Sequence, residues 1–156
     1  MANNRLVRFT PVTLATSTPD AGAAFNKTNV LPLTGANDLG GCCIDRSENI
    51  YVTDFAKHVI YKYQKGASAS RIFAGTYGTS GNLDGQAGAA RFNAPDAICV
   101  DNSGNLYVVD SGNALLRRID QNGNVYTLGS IPAAAGEIGG ICVDASGNIY
   151  FTDCTP

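Results

Sequence analysis

A chain of 156 residues is long enough for one domain with a hydrophobic core. Its formal net charge of −2 excludes the collection of nucleic acid or anionic lipid by a general positive field. Charged residues make up only 15% of the chain and glycine numbers 18, which is typical of a turn-rich all-β protein.

The first predicted elements lie in residues 3–14. Residues 3–9 and 12–14 match the third and fourth strands of the repeat described below, and this match predicts two strands. No apolar run of signal-peptide length occurs here, and no later run approaches the length of a membrane span. We therefore expect a protein that is not classically secreted, has no membrane partner and resides in the cytoplasm or in a virion.

One sequence unit then recurs, at 43–54, 99–110 and 142–153. In each copy apolar residues precede an aspartate, a Ser-Gly-Asn or Ser-Glu-Asn turn follows, and an alternating run comes next. This pattern predicts a β-hairpin. Further strands are predicted at 58–63, 71–74, 114–119 and 125–128. Four antiparallel strands per unit are typical of a propeller blade.

The second unit and the loop before it carry the most specific pattern. Its parts are Gly81-Asn82-Leu83-Asp84-Gly85, Ala90-Arg91-Phe92-Asn93-Ala94-Pro95, Gly104 to Asp110 and Arg117-Arg118-Ile119. These residues resemble the NHL repeat family. The resemblance implies an all-β fold, a β-propeller of four-stranded antiparallel blades, and six blades in the closed ring. The first unit departs from the family pattern where Glu48 stands in place of the turn glycine.

We predict a single NHL-like module over residues 1–156 with three blades, one of them composite. Its segments are an outer half-blade (3–14), a blade (38–74), a blade (94–128) and an inner half-blade (138–153). Three blades are too few to close a ring, and residues 3–14 match the outer strands that the last unit lacks. We therefore expect a head-to-tail, strand-exchanged homodimer of six blades. The alternative is a fragment of a longer protein.

An odd number of cysteines, five, favours free thiols in a reducing compartment over disulfides. Cys43, Cys99 and Cys142 share one position on the first strands and are expected to be buried and reduced. Cys42 stands beside this position and is expected to lie in the core. Cys154 is the thiol expected to be exposed.

Aspartates recur before each hairpin turn and after each second strand, at Asp45, Asp101, Asp144, Asp54, Asp110 and Asp153. Carboxylates in such places accept backbone N–H bonds and close turns. Asp38, Asp96 and Glu137 break the repeat and precede the first strands, at one mouth of the expected channel. They are the candidate Ca²⁺ ligands. We expect them to be solvated loop acids and the protein to have no cofactor; the Ca²⁺ site is the alternative.

The sequence contains no set of residues typical of catalysis. His58 is the only histidine, and no Ser-His-Asp or Cys-His arrangement is evident. We expect a noncatalytic interaction or structural module that binds other proteins of a larger assembly, a bacteriophage virion being one such assembly. One alternative is a metal-dependent, lyase-like or lactonase-like propeller enzyme.

A further alternative is an NHL module that binds RNA through a basic face. Its cations would be those of the third strands, expected toward the outside of the blades: Arg5, Arg8, Lys62, Arg117 and Arg118. Because acidic residues outnumber basic ones by 13 to 11, nucleic acid is not the partner that we expect.

Overall fold

The computed structural model describes residues 7–12, 24–29, 38–131 and 138–153. Apart from the 3-10 turns Ala87–Ala89 and Ser111–Asn113, these residues form strands and their connections. The strands are β1 (Val7–Val12), β2 (Ala24–Asn29), β3 (Leu39–Ile44), β4 (Ile50–Asp54), β5 (Val59–Tyr63), β6 (Arg71–Ala74), β7 (Gly85–Gln86), β8 (Pro95–Val100), β9 (Leu106–Asp110), β10 (Leu115–Ile119), β11 (Asn124–Ser130), β12 (Ile138–Val143) and β13 (Ile149–Asp153). The all-β fold predicted from the sequence is confirmed.

The first blade is an antiparallel sheet in the order β3-β4-β5-β6. His58, expected to open the third strand, instead lies in the corner before it, with φ of 59°. Ala114 occupies the equivalent corner of the next blade with φ of 51°. The left-handed conformation turns the chain sharply between the second and third strands, so each third strand begins one residue later than predicted.

The second blade has the order β7-β11-β10-β9-β8. Its four main strands match the prediction, and β7 adds a fifth strand that the sequence did not indicate. This short strand comes from the preceding loop and pairs with Asn124 and Val125 of β11. A two-residue strand shows no alternation in the sequence, so only the folded loop reveals it.

Two further sheets have two strands each. β12 and β13 form a hairpin with the same pairing as the first two strands of each blade, and we call it the half-blade. β1 pairs antiparallel with β2, and we call this sheet the N-terminal pair. The prediction of two strands at 3–9 and 12–14 was wrong for the described part, because one strand runs from Val7 to Val12. Its partner is Ala24–Asn29, which the sequence analysis left unassigned.

The blades pack face to face through apolar side chains. Tyr51, Ile60 and Phe73 of the first blade are buried against Ile98 and Val108 of the second. A separate cluster joins the second blade to the half-blade; its buried members are Ala97, Val109, Ile131 and Ile138. Stacking of successive sheets on apolar faces is the packing expected of a β-propeller. The number of blades in a closed ring stays a prediction.

The first and second blades lie in close contact beside Gly40 and Gly41. A Cβ on Gly41 would lie 3.0 Å from the backbone oxygen of Asp96 and 3.0 Å from the backbone nitrogen of Ile98. The Thr53 hydroxyl lies 2.6 Å from the same Asp96 oxygen, to which it can donate a hydrogen bond across the junction. Glycine at position 41 therefore lets one backbone pack directly on the next.

Candidate functional site

Both carboxylate oxygens of the recurring aspartate before each hairpin turn accept hydrogen bonds from residues of that hairpin. In the second blade, Asp101 Oδ1 accepts hydrogen bonds from the backbone N–H groups of Ser103 and Asn105, both at 2.8 Å. Its Oδ2 accepts from Asn105 Nδ2 at 2.8 Å and from the Tyr107 hydroxyl at 3.1 Å. Asp45 and Asp144 make the same four contacts. The structural role expected of these carboxylates is confirmed.

A fourth copy of this turn joins β10 to β11 and escaped the sequence analysis. Asp120 accepts from the backbone of Asn122 and Asn124 at 2.9 Å and from Asn124 Nδ2 at 2.8 Å. The signal was present in the sequence, because Asp120, Asn124 and Tyr126 repeat the spacing of Asp101, Asn105 and Tyr107. These turns fix hairpin geometry and leave no carboxylate oxygen free to act on a ligand.

Hydrogen bonding sets the charge state of these turns. Burial by itself raises the pKa of Asp101, but bonds from Asn105, Tyr107 and Ser103 outweigh it and hold that pKa below its ordinary value. For Asp144, the bond from the Asn148 side chain is the main cause of the lowered pKa. Both carboxylates are therefore ionised near neutral pH, as acceptors of N–H bonds should be.

The aspartate after the second strand anchors the corner that follows. Asp110 is fully buried, and its carboxylate accepts from the Asn93 backbone at 2.7 Å and from Asn113 Nδ2 at 2.8 Å. Asp54 accepts from the Lys57 backbone at 3.0 Å in the first blade. The side chain of Asp153 lies outside the described residues.

The third-strand cations whose side chains are described do not form one basic surface. Arg117, expected on the outside of the blade, is fully buried, which corrects that prediction. It donates to Asp110 and to Asp84, both at 2.8 Å, because the loop before the blade folds over β10. Lys62 Nζ lies 5.1 Å from the centre of the Tyr51 ring, and Arg118 lies 4.8 Å from that of Tyr126. Arg5 and the side chain of Arg8 lie outside the described residues.

The expected ring of channel-mouth acids is only partly described. Asp96 lines a cavity of about 470 Å³ together with the glycine pairs 40–41 and 139–140 and with side chains that are mostly apolar: Cys42, Ala97, Ile98, Ile138 and Ile141. Asp38 is exposed at the start of the first blade. Glu137 lies outside the described residues. Within the described ranges, no three His, Cys, Asp or Glu side chains are placed to hold a metal ion. The Ca²⁺ site stays an untested alternative.

His58 has a structural contact. Its Nδ1 accepts a hydrogen bond from the backbone N–H of Ala94 at 3.0 Å, joining the corner of the first blade to the entry of the second. That nitrogen is therefore not free to act as a general base in this arrangement.

The described cysteines differ in how far they are buried. Cys99 is buried, and burial raises the pKa of its thiol to about 12. Cys43 is half-buried, and burial likewise raises its thiol pKa. Cys42 and Cys142, expected in the core, are exposed, so those two predictions were wrong. Cys154 lies outside the described residues.

The exposure of Cys142 reveals a surface that the sequence analysis missed. Ile141 packs against the second blade, and Cys142 therefore points to the opposite side of β12. There Cys142 is paired with Tyr150, and these two residues line a largely apolar groove of about 220 Å³ together with Gly140, Ile141, Phe151 and Thr152. We call this surface the open face. No described strand pairs with the outer edge of β13 beside it.

Equivalent positions show how unusual the open face is. Tyr51, on the second strand of the first blade, is 3% exposed because the second blade covers it. Tyr107 is half-buried at the same repeat position, and Tyr150 is 54% exposed. The three residues differ mainly in how much of a following blade packs on them. A tyrosine that is core in one blade is thus a surface residue in the last.

Comparison with known proteins agrees with the repeat analysis. Residues 92–119 match the NHL repeat family, and this stretch runs through strands β8 to β10. The resemblance noted in the sequence is confirmed for these residues of the second blade. Residues of Protein SUPPRESSOR OF QUENCHING 1, chloroplastic, from Arabidopsis thaliana are 34% identical over 84 positions. They amount to 54% of this chain and 8% of that protein.

Solved structures share the fold at low sequence identity. An auxiliary nutrient binding protein from Bacteroides thetaiotaomicron matches with a TM-score of 0.66 and 16% identity, over 82% of this chain and 38% of its own. A putative phosphatase from the same species matches with a TM-score of 0.60 and 20% identity, over 72% and 31%. The chain therefore spans less than half of each relative's length. None of the described residues forms a helix able to cross a lipid bilayer.

Proposed function

We propose that this NHL-repeat chain is a noncatalytic β-propeller module that binds a protein partner and serves as a structural component of a larger assembly. The observation that carries the proposal is the open face, where Tyr150 is exposed although its counterpart Tyr51 is core. Exposed aromatic and apolar side chains on a rigid sheet are typical of protein-binding surfaces.

The described polar side chains support the same proposal. The carboxylates of the turn aspartates accept hydrogen bonds within their own hairpins, and Asp110 forms an ion pair with the buried Arg117. His58 Nδ1 is held by a backbone N–H group. Groups that are saturated in this way hold a scaffold together and are poorly placed to activate a substrate. Such a scaffold is better suited to binding a partner at its surface.

The relatives bear on this proposal from two sides. A nutrient binding protein shares the fold, which supports a binding role, and a putative phosphatase also shares it, so the fold permits an enzyme. The metal-dependent alternative would use Asp38, Asp96 and Glu137 at the channel mouth. A bacteriophage virion as the assembly stays a prediction; peptides of this chain in purified particles would support it.

Metal analysis and hydrolysis assays test the proposal. We expect the purified chain to carry Ca²⁺ or Zn²⁺ well below one ion per chain. We also expect no hydrolysis of a lactone or a phosphate monoester above the buffer rate, with or without added metal. Stoichiometric metal, together with turnover that is lost in Asp96→Asn, would overturn the noncatalytic proposal.

A further inference from the structure

A further cavity, of about 240 Å³, lies between the first hairpin turns of the two complete blades, and we call it the turn cavity. One wall is drawn from the turn 45–49 with Tyr51 and Lys62, and the other from the turn 101–104 with Gln121. Both walls belong to complete blades, so the cavity is formed independently of the half-blade and of the N-terminal pair. Because sites for drug-sized ligands measure about 300–1,000 Å³, this cavity suits a smaller molecule.

Lys62 brings a half-buried ammonium group to the turn cavity. β5 places it opposite Tyr51, and Nζ lies 5.1 Å from the centre of the Tyr51 ring and 5.3 Å from that of Phe73. Among the described residues, no carboxylate lies within ion-pair distance of Nζ, and no oxygen accepts a hydrogen bond from it. Desolvation lowers the pKa of Lys62, which means that burial disfavours its charge. An anion in the cavity would supply the missing counter-ion.

The charges around the turn cavity favour a ligand with one negative charge. Arg46 lines the cavity, is exposed and has no ion pair with a described residue, and Arg71 lies beside Lys62 on β6. The ionised Asp45 and Asp101 oppose these cations. The cost of desolvating an anion grows with the square of its charge, whereas its attraction to a cation grows only linearly. A site of such mixed charge therefore favours a carboxylate over a doubly charged phosphate.

Neutral polar side chains complete the wall of the turn cavity. The hydroxyl of Ser47 and the amide of Asn102 make no hydrogen bond with a described residue. Each side chain offers both a donor and an acceptor, which is what the hydroxyl groups of a ligand require. The hairpin itself does not need Arg46, because Asn102 and Ala145 occupy the same position in the next two turns. A residue that departs from the repeat in this way is available for binding.

We propose that the turn cavity binds a small hydroxylated monocarboxylate, of the chemical class of the sugar acids. The ligand carboxylate accepts hydrogen bonds from Lys62 and Arg46, and the ligand hydroxyl groups bond with Ser47 and Asn102. Charge-assisted bonds of this kind are the stronger ones in such a site. The inference goes beyond the proposed function, because it adds a small-molecule site to a module that binds a protein partner.

Titration of the ¹⁵N-labelled chain with three matched probes tests the ligand class by NMR. Glucuronate, glucose and glucose 6-phosphate differ only in the group carried at one carbon, which is a carboxylate, a hydroxyl group or a phosphate. We expect glucuronate to cause saturable shifts of the backbone signals of residues 45–49 and 101–104, with a Kd in the millimolar range. Glucose should bind about tenfold more weakly, because it lacks the charged acceptor, and glucose 6-phosphate should also bind more weakly than glucuronate.

Three variants test the residues of the site. Lys62→Met keeps the apolar stem and removes the ammonium group, so it should weaken glucuronate binding about tenfold. The matched control is Lys65→Met, which should leave binding unchanged because Lys65 pairs with Glu48 on an exposed turn and does not line the cavity. Arg46→Gln alters only an exposed turn side chain and should weaken binding about threefold. It tests the site even if Lys62→Met does not fold.

The results that would overturn this inference are separate from those that bear on the proposed function. Absence of saturable shifts with glucuronate, shifts confined to residues outside the turn cavity, or unchanged affinity in Arg46→Gln would refute the site. Equal affinity for glucose would refute the role of the carboxylate, and tighter binding of glucose 6-phosphate would refute the monocarboxylate class. None of these results makes the chain an enzyme, which the metal analysis and the hydrolysis assays decide independently.

Discussion

Replacement of Arg117 should destabilise the second blade strongly. The guanidinium is fully buried, with Nη1 2.8 Å from Asp110 and Nη2 2.8 Å from Asp84, and its Cζ lies 5.1 Å from the Phe92 ring centre. Arg117→Met keeps similar bulk but leaves the buried Asp110 carboxylate without its counter-ion. Breaking a buried ion pair from one side costs about 3–5 kcal/mol.

The structure places Arg117→Met near the lower end of this range. Asp110 keeps its bonds from the Asn93 backbone and from Asn113 Nδ2, so part of its charge stays solvated. A loss of about 3 kcal/mol corresponds to a fall in Tm of roughly 6–12 °C for a chain of this size. Urea unfolding at pH 7 and one fixed protein concentration measures the free-energy change.

Two further variants make the Arg117 prediction specific. Asp84 is half-exposed, so Asp84→Asn should cost only about 0–1 kcal/mol. Adding Asp110→Asn to Arg117→Met should recover about 1 kcal/mol or more, because the buried charge is removed. A loss below about 1 kcal/mol for Arg117→Met, or an equal loss for Asp84→Asn, would refute the reasoning.

Three other measurements follow from the described contacts. Because hydrogen bonds lower the pKa of Asp101 in the folded state, they contribute stability above the unfolded pKa of about 3.9 that is lost as pH falls through the folded pKa. Urea unfolding between pH 6 and pH 3 should show a cost of about 1 kcal/mol for Asp101→Asn at pH 6 that shrinks toward pH 3; a constant cost would contradict the assignment. Maleimide labelling should leave Cys99 unmodified until the chain unfolds, since its thiol is buried and its pKa is raised to about 12, and rapid labelling in the native state would be incompatible with that burial. Gly41→Ala should lower the free energy of unfolding by about 1–3 kcal/mol through backbone clashes at the blade junction. Gly88→Ala, where no atom lies within 4 Å of the added Cβ, should stay within about 0.5 kcal/mol of wild type; equal losses for the two variants would argue against a tight junction.

Local spacing in the sequence determined the hairpins. Asp101, Asn105 and Tyr107 lie within seven consecutive residues, and all their shared hydrogen bonds form inside that span. A contact that closes within one turn leaves a fixed spacing in the sequence, so the repeat and its blade fold could be predicted. The same spacing at Asp120 would have revealed the fourth turn.

Contacts across long separations determined the features that the sequence missed. Arg117 is buried because Asp84, 33 residues earlier, folds over its strand, and alternation along β10 carries no record of that loop. The pairing of β1 with β2 was likewise missed, since Ala24–Asn29 lacks the apolar alternation of a buried strand and is held by its backbone.

The open face shows most clearly what the sequence repeat determines and what only the packing of the sheets determines. The sequence assigns Cys43, Cys99 and Cys142 to one repeat position, and their strands do adopt the same hairpin. Only the tertiary structure decides that Cys99 is buried and that Cys142 is exposed, because burial depends on whether another sheet packs against the strand. Sequence periodicity specifies which side chains share a face of a sheet, and the neighbouring sheet decides whether that face is core or surface.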